Sequence, residues 1–334
     1  MEKIAVIGAG SWGTTLANLL AKKGYPVTLW AYEPEVAAAV EERRENPVFL
    51  PGIALDARLR ATSDLASAVS ERGVVVVVSP SQHVRRVMSQ AAPSLADDAL
   101  VVSASKGIET TSLKTMAEVL AETIPNAAGR TCFLSGPSFA LEVAQEQPTA
   151  VTVAAENEAV ARRAQELFQT DYFRVYTTDD VRGVELGGAL KNVIALAAGM
   201  VAGLGYGHNT MAALITRGVA EMVRLGIALG AKPLTFAGLA GIGDLVLTCT
   251  GALSRNRRVG MLLGQGHSLD EILAEMKMVA EGVATTQAAH ALAQREGVEM
   301  PILAEVHAVL FEGRHPREAV SNLMMREPKA EMWR

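Results

Sequence analysis

The alternation that occupies residues 3–178 and then stops narrows what this 334-residue chain can fold into more than any other feature. Short β-branched runs recur as "KIAVIG" (3–8), "PVTLW" (26–30), "GVVVVVS" (73–79), "ALVVSAS" (99–105), "TCFLSG" (131–136), "TAVTVAA" (149–155) and "YFRVYTT" (172–178). Several are apolar throughout, as expected of strands covered by helices on both faces. Helical patterns lie between them, for example over 14–23 and 112–123. This is the βαβα signature of a doubly wound sheet. Past about Asp180 the β-branched runs end, and helical segments separated by "GLGYGHN", "LAGIGD", "TGALS" and "GQGHS" fill the remainder. The expected architecture is α/β, an N-terminal Rossmann-type sheet over 1–180 followed by an all-helical C-terminal domain over 181–334, with the change near 179–189.

The first strand runs into "GAGSWG", which sets Gly8, Gly10 and Gly13 in GxGxxG spacing where a helix opens. Gly8 suits the tight turn, Gly10 a close backbone approach to a pyrophosphate, and Gly13 the contact of helix with strand. The N–H groups at the helix start would then face the phosphates. The second strand ends "LWAYEP", which puts Glu33 twenty residues past Gly13. A carboxylate there accepts ribose hydroxyls and repels a 2′-phosphate, although a solvated loop glutamate reads the same way. No arginine follows directly, so charge alone leans toward NAD over NADP.

Composition narrows the partners. A net charge of −5 argues against nucleic acid. Cys132 and Cys249 are the two cysteines, and no CxxC or HxxxH spacing offers a metal site, which fits a reducing, cytoplasmic setting. The start "MEKIAVIGAG" has no signal-peptide pattern. Residues 193–216 are long enough to span a bilayer, but Gly199, Gly203, Gly205, Gly207, His208 and Asn209 interrupt them. A buried core helix followed by a glycine-rich turn is expected, with no membrane span.

Between Glu185 and Arg217 that segment carries one formal charge, Lys191. Burial disfavours an ammonium group and lowers its proton affinity, unless the side chain snorkels to solvent at a helix edge. Further polar groups follow strand ends, where open α/β sheets gather ligands. Lys106 in "SASKG" suits a phosphate, a carbonyl or plain solvent. In "SGPSFA", Gly136 fits a close approach or a turn, and Ser138 stands where an N-cap would.

A second anion site reads from "SRNRRVG". Ser254 is a plausible N-cap, and a helix from Arg255 toward Gly264 puts Arg255, Arg257 and Arg258 in the first turn. Cations there oppose the helix dipole unless an anion binds. Arg255 and Asn256 are the expected ligands, with Arg257 and Arg258 on the surface. Asp244 in "LAGIGD" suits a helix cap, a lysine partner or a contact to a substrate hydroxyl. Cys249 reads as a small buried apolar residue.

Together "GAGSWGTTLA", "SKGIE", "SGPSFALEV", "VELGGALKNVIALAAGM", "LAGIGDLVLTCT", "SRNRRVG" and "VAEGVATT" resemble the NAD(P)-dependent glycerol-3-phosphate dehydrogenases of the bacterial type, in the same order from about residue 3 to 325. The resemblance implies a 6-phosphogluconate dehydrogenase-like pairing of a Rossmann domain with a helical one. It implies NAD(P)H as cofactor, no metal, and interconversion of dihydroxyacetone phosphate and sn-glycerol 3-phosphate for glycerophospholipid synthesis in the cytoplasm. A homodimer is one assembly compatible with it.

The same resemblance carries roles to individual residues. Lys191 matches the proton acceptor, and Lys106 the lysine that touches both cofactor and substrate. Gly136, Ser138, Asp244, Ser254, Arg255 and Asn256 match substrate positions. Ser11, Trp12, Ala140, Arg255, Val279 and Glu281 match cofactor positions, beside Gly8, Gly10 and Gly13. Tyr32 departs from the pattern, standing where many members carry a basic residue or histidine near the adenosine ribose. Two rival readings share this build: another Rossmann/helical dehydrogenase of the 3-hydroxyacid dehydrogenase or ketopantoate reductase type, and a dinucleotide sensor without turnover.

Overall fold

The computed structural model describes every residue except 126, 128, 277–278, 329 and 332–334. Its strands are β1 (Ile4–Ile7), β2 (Val27–Trp30), β3 (Leu59–Thr62), β4 (Val74–Val77), β5 (Leu100–Ser103), β6 (Thr131–Ser135), β7 (Thr149–Ala154) and β8 (Phe173–Thr178). They form one sheet in the order β3-β2-β1-β4-β5-β6-β7-β8. Strands β1 to β6 pair in parallel, β7 runs antiparallel to β6, and β8 lies parallel to β7.

Around the sheet lie α1 (Ser11–Lys22), α2 (Pro34–Arg43), α3 (Leu65–Val69), α4 (Ser81–Ala91), α5 (Met116–Thr123), α6 (Ala140–Ala144) and α7 (Glu158–Phe168). Alternate residues of each strand serve opposite faces, which is why the strands read as continuous apolar runs. Ile4, Val6, Val74 and Val76 share a core with Leu16 and Leu20 of α1 and Phe168 of α7. Their neighbours Ala5, Ile7, Val75 and Val77 share another with Val84 and Met88 of α4 and Leu120 of α5.

All seven strands expected from the sequence form. The eighth, β3, carries no such signal: "LRAT" lies at the sheet edge and only Leu59 in it is buried. Helix α5 begins at Met116 rather than 112, because Thr115 and Glu118 close a capping box there.

The rest of the chain is helical among the described residues: α8 (Val181–Gly203), α9 (His208–Ala228), α10 (Asp244–Thr250), α11 (Arg255–Gly264), α12 (Leu269–Glu275), α13 (Glu281–Arg295), α14 (Pro301–Phe311) and α15 (Pro316–Met324). Asp180 starts α8, its carboxylate accepting from Gly183 N–H at 3.0 Å and from Lys232 N–H at 2.9 Å. By length and composition α8 could cross a bilayer, yet 89% of its most apolar stretch is buried inside the fold. It is the core helix expected, and the glycine-rich turn follows it.

Helix α11 lies directly on α8. A Cβ at Gly199 would sit 2.0 Å from the Arg257 carbonyl oxygen, and one at Gly260 would sit 1.9 Å from that of Leu196. Backbone-to-backbone contact therefore fixes the start of α11 near the stretch of α8 that holds Lys191.

Candidate active site

The glycine turn is wedged between strand ends. Gly8 donates its N–H to Trp30 O at 3.1 Å. With φ at +115° it also lies so close to Val78 O that a Cβ would come within 2.9 Å. A Cβ on Gly13 would be 1.8 Å from Gly8 O. The fold itself demands these two glycines. Gly10 differs, for a Cβ there would meet no protein atom within 4 Å. Its bare backbone leaves the N-terminus of α1 open, at the switch point between β1 and β4, and this suits a dinucleotide pyrophosphate.

Neighbouring residues frame this turn. Ser11 Oγ donates to Phe49 O at 2.5 Å, and the Trp12 ring lies 6.4 Å from that of Phe173. Thr15 Oγ1 donates to Ala140 O at 3.1 Å, which ties the start of α6 to α1. Beyond β2, Tyr32 is exposed and Glu33 occupies the N-cap position of α2 without a side-chain capping bond.

Across the strand ends, two lysines share one carboxylate. Lys191 is 8% exposed and its Nζ donates to Asp244 Oδ1 at 2.5 Å and to Thr248 Oγ1 at 3.0 Å. Lys106 Nζ donates to Asp244 Oδ2 at 2.6 Å and reaches Gly136 O at 3.4 Å. Asp244 is buried at the first turn of α10, and Thr248 stands one turn on, its hydroxyl donating to Asp244 O at 2.6 Å.

Of the roles open to Asp244 in the sequence, the lysine partner is the one the structure forms. Lys191 is thus paired, and its proton affinity is lowered nonetheless. Burial pulls its pKa down to about 8, with the Asp244 charge opposing and the Lys106 charge assisting. Burial alone would raise the Asp244 carboxyl, but the two ammonium groups hold it below the ordinary range. Two cations against one anion leave a surplus positive charge. That surplus weakens the hold of Lys191 on its proton and favours an anionic ligand.

Gly136 holds φ +140°, and a Cβ there would lie 2.9 Å from the Val151 Cα. Ser138 is not an N-cap, since α6 begins at Ala140 behind Phe139. Its hydroxyl instead donates to Gly136 O at 3.0 Å, which keeps it beside Lys106.

Helix α11 starts as expected: Ser254 caps it by accepting from Arg257 N–H at 3.2 Å. Arg255 and Arg258 are exposed. Arg257, expected on the surface, is half-buried because its backbone faces α8, and its Nε is a buried donor without a partner among the described residues. Asn256 is buried; its amide donates to Asn192 Oδ1 at 2.9 Å and accepts from Gly282 N–H at 2.9 Å. It is thus bound to the residue that follows Lys191.

Glu281 opens α13 and accepts from Ser81 at the start of α4, through N–H at 3.0 Å and Oγ at 2.5 Å. Burial raises its carboxyl pKa, while the Ser81 donors and the Arg255 charge act against that rise. Val279, just ahead of α13, is exposed.

Thr248, Asn192 and Ser81 are contacts the sequence reading omits. Thr248 was within reach, since residues four apart share a helix face and Asp244 opens that helix. Asn192 and Ser81 gave no local sign, because their partners lie 64 and 200 residues away. Cys249 is a buried thiol whose pKa burial pushes up to about 12, consistent with a packing role.

Residues 3–161 match the family described as the NAD-dependent glycerol-3-phosphate dehydrogenase N-terminus, and residues 180–321 match its C-terminus. A glycerol-3-phosphate dehydrogenase [NAD(P)+] of Citrifermentans bemidjiense is 62% identical over 331 residues, covering 99% of both chains. One from Geobacter sulfurreducens is 59% identical, again covering 99% of each. The crystal structure of glycerol-3-phosphate dehydrogenase from Coxiella burnetii superposes with a TM-score of 0.93 at 39% identity, covering 97% of this chain and 99% of that one. A ketopantoate reductase from Ralstonia eutropha, with TM-score 0.60 and 18% identity over 95% of this chain and 99% of its own, shares the fold alone. The chain belongs to the NAD-dependent glycerol-3-phosphate dehydrogenase family.

Proposed function

We infer that this chain is an NAD(P)-dependent sn-glycerol-3-phosphate dehydrogenase that interconverts dihydroxyacetone phosphate and sn-glycerol 3-phosphate. The observation that carries the reading is the buried amine of Lys191, held 2.5 Å from Asp244 beside the strand ends of a dinucleotide fold. A dehydrogenase of ketones needs such an acid, and a sensor does not.

When bound, NAD(P)H would supply the hydride that C2 of the ketone needs, and the oxidised cofactor would accept it from the alcohol. Gly8, Gly10 and Gly13 would hold its pyrophosphate end, with the first turn of α1 as the anion seat. Lys191 in its ammonium form gives one proton to the C2 oxygen as the carbonyl is reduced, and as the neutral amine it takes that proton back in the reverse direction. Such general acid–base action typically contributes about 10²–10⁴-fold in rate. Asp244 and Thr248 orient the amine, and Lys106 completes the positive surround. Arg255 and Asn256 receive the substrate phosphate at the start of α11, where a guanidinium fork and helix N–H groups both suit it. We place the enzyme in the cytoplasm, its product entering glycerophospholipid synthesis.

Initial rates with dihydroxyacetone phosphate and either NADH or NADPH, followed by loss of nicotinamide absorbance, test this reading. Saturable turnover with at least one cofactor is expected. Cofactor binding without ketone reduction would instead favour the sensor reading.

A further inference from the structure

In sequence, the end of β2 is followed by Glu33, whose charge disfavours a 2′-phosphorylated cofactor. The fold changes that balance. Helix α4 leans its Arg86 guanidinium over the Tyr32 ring, 5.8 Å from the centroid. Tyr32 is 65% exposed and stands two residues past the end of β2, edge-on to Trp30 with centroids 6.3 Å apart. Arg86 is itself exposed, and no carboxylate pairs with it among the described residues.

The position of this contact matters. Trp30 O accepts from Gly8 N–H, so the end of β2 is bonded to the glycine turn. Helix α4 follows β4, on the far side of β1 from β2. The Arg86–Tyr32 contact therefore crosses the mouth of the crevice on its β2 side. In this topology the adenosine ribose lies past the second strand, and a nearby arginine is the usual means of accepting a 2′-phosphate.

We propose that Arg86 and Tyr32 form a subsite for a phosphomonoester on the adenosine ribose, which gives this chain NADP binding despite Glu33. A cation over an exposed aromatic ring is only weakly held, so the guanidinium is free to turn to a dianion that matches its fork. Tyr32 keeps the arginine stem in place and offers its open face to the adenine. Glu33 acts in the opposite sense, and the two together set the cofactor ratio.

This proposal rests on the dehydrogenase reading for the class of its ligand. Its test is calorimetric titration of the whole chain with NADP⁺ and with NAD⁺, for wild type and Arg86→Met. Methionine retains an apolar stem over Tyr32 and removes the charge. The ratio of Kd for NADP⁺ to Kd for NAD⁺ should rise by about tenfold or more, the loss expected for one charge-assisted contact. A smaller rise, or none, overturns the subsite, and so does equal weakening of both cofactors. A chain that keeps the Arg86-dependent preference yet fails to reduce dihydroxyacetone phosphate would sink the dehydrogenase reading and leave the subsite standing.

Discussion

At Lys191 the sequence and the fold lead to the same chemistry by different routes. A lone charge in an apolar run signals a perturbed amine, and Asp244 is a carboxylate open to it, but sequence alone leaves a helix cap or a substrate contact equally open. The structure supplies Asp244, shared with Lys106, and explains why a paired lysine still releases its proton near neutrality. With burial lowering the Lys191 pKa to about 8, the ammonium form needed for ketone reduction prevails below that pH. Reductive kcat/KM should hold level on the acid side and fall as the pH rises past about 8, and oxidation should show the mirror profile. Asp244→Asn removes the attractive charge and leaves two cations facing each other. Its reductive profile should shift toward acid by about one pH unit or more. An unmoved profile would separate Asp244 from the proton-transfer group.

Elements differ in how openly the sequence declares them. Strands covered on both faces stand out as apolar runs, and α11 was readable from Ser254 and the arginines behind it. The edge strand β3 was hidden because only Leu59 of its four residues is buried. What the sequence could not express was which backbones touch. Gly199 and Gly260 look like helix-weakening residues, costing about 1 kcal/mol each relative to alanine. In the fold they let α8 and α11 meet. Gly260→Ala should therefore lose stability rather than gain it, by about 1–3 kcal/mol in chemical denaturation. A stabilised variant would mean that the two helices are not held in contact. Arg255→Lys at the start of the same helix loses the guanidinium fork, so KM for dihydroxyacetone phosphate should rise several-fold or more with little change in kcat. Unchanged KM would remove Arg255 from the phosphate seat.

Over the whole molecule, the Rossmann half brings Lys106 and the glycine turn while the helical half brings Lys191, Asp244 and Arg255. Contacts as remote in sequence as Ser81 with Glu281 join the two. The helical half also carries a buried acid outside the site. Glu221 accepts from Ile302 and Leu303 N–H at 2.7 and 3.1 Å, and burial raises its pKa from 4.5 to about 7. A raised carboxyl binds its proton more tightly folded than unfolded. The stability linked to it is thus complete below the unfolded value of 4.5 and is lost as the pH climbs through about 7. Between about pH 5 and 8, wild-type Tm should decline relative to Glu221→Gln, whose amide does not titrate. Parallel curves would show that the carboxyl ionises without cost.

The measurement that bears most directly on the central claim is single-substrate kinetics of Lys191→Met with dihydroxyacetone phosphate, alongside its affinity for NADH. Methionine fills the same space without a proton to give. Turnover should drop about 100-fold or more while the Kd for NADH stays within about twofold. A variant that keeps more than about a tenth of wild-type kcat would contradict the assignment of Lys191 as the proton donor.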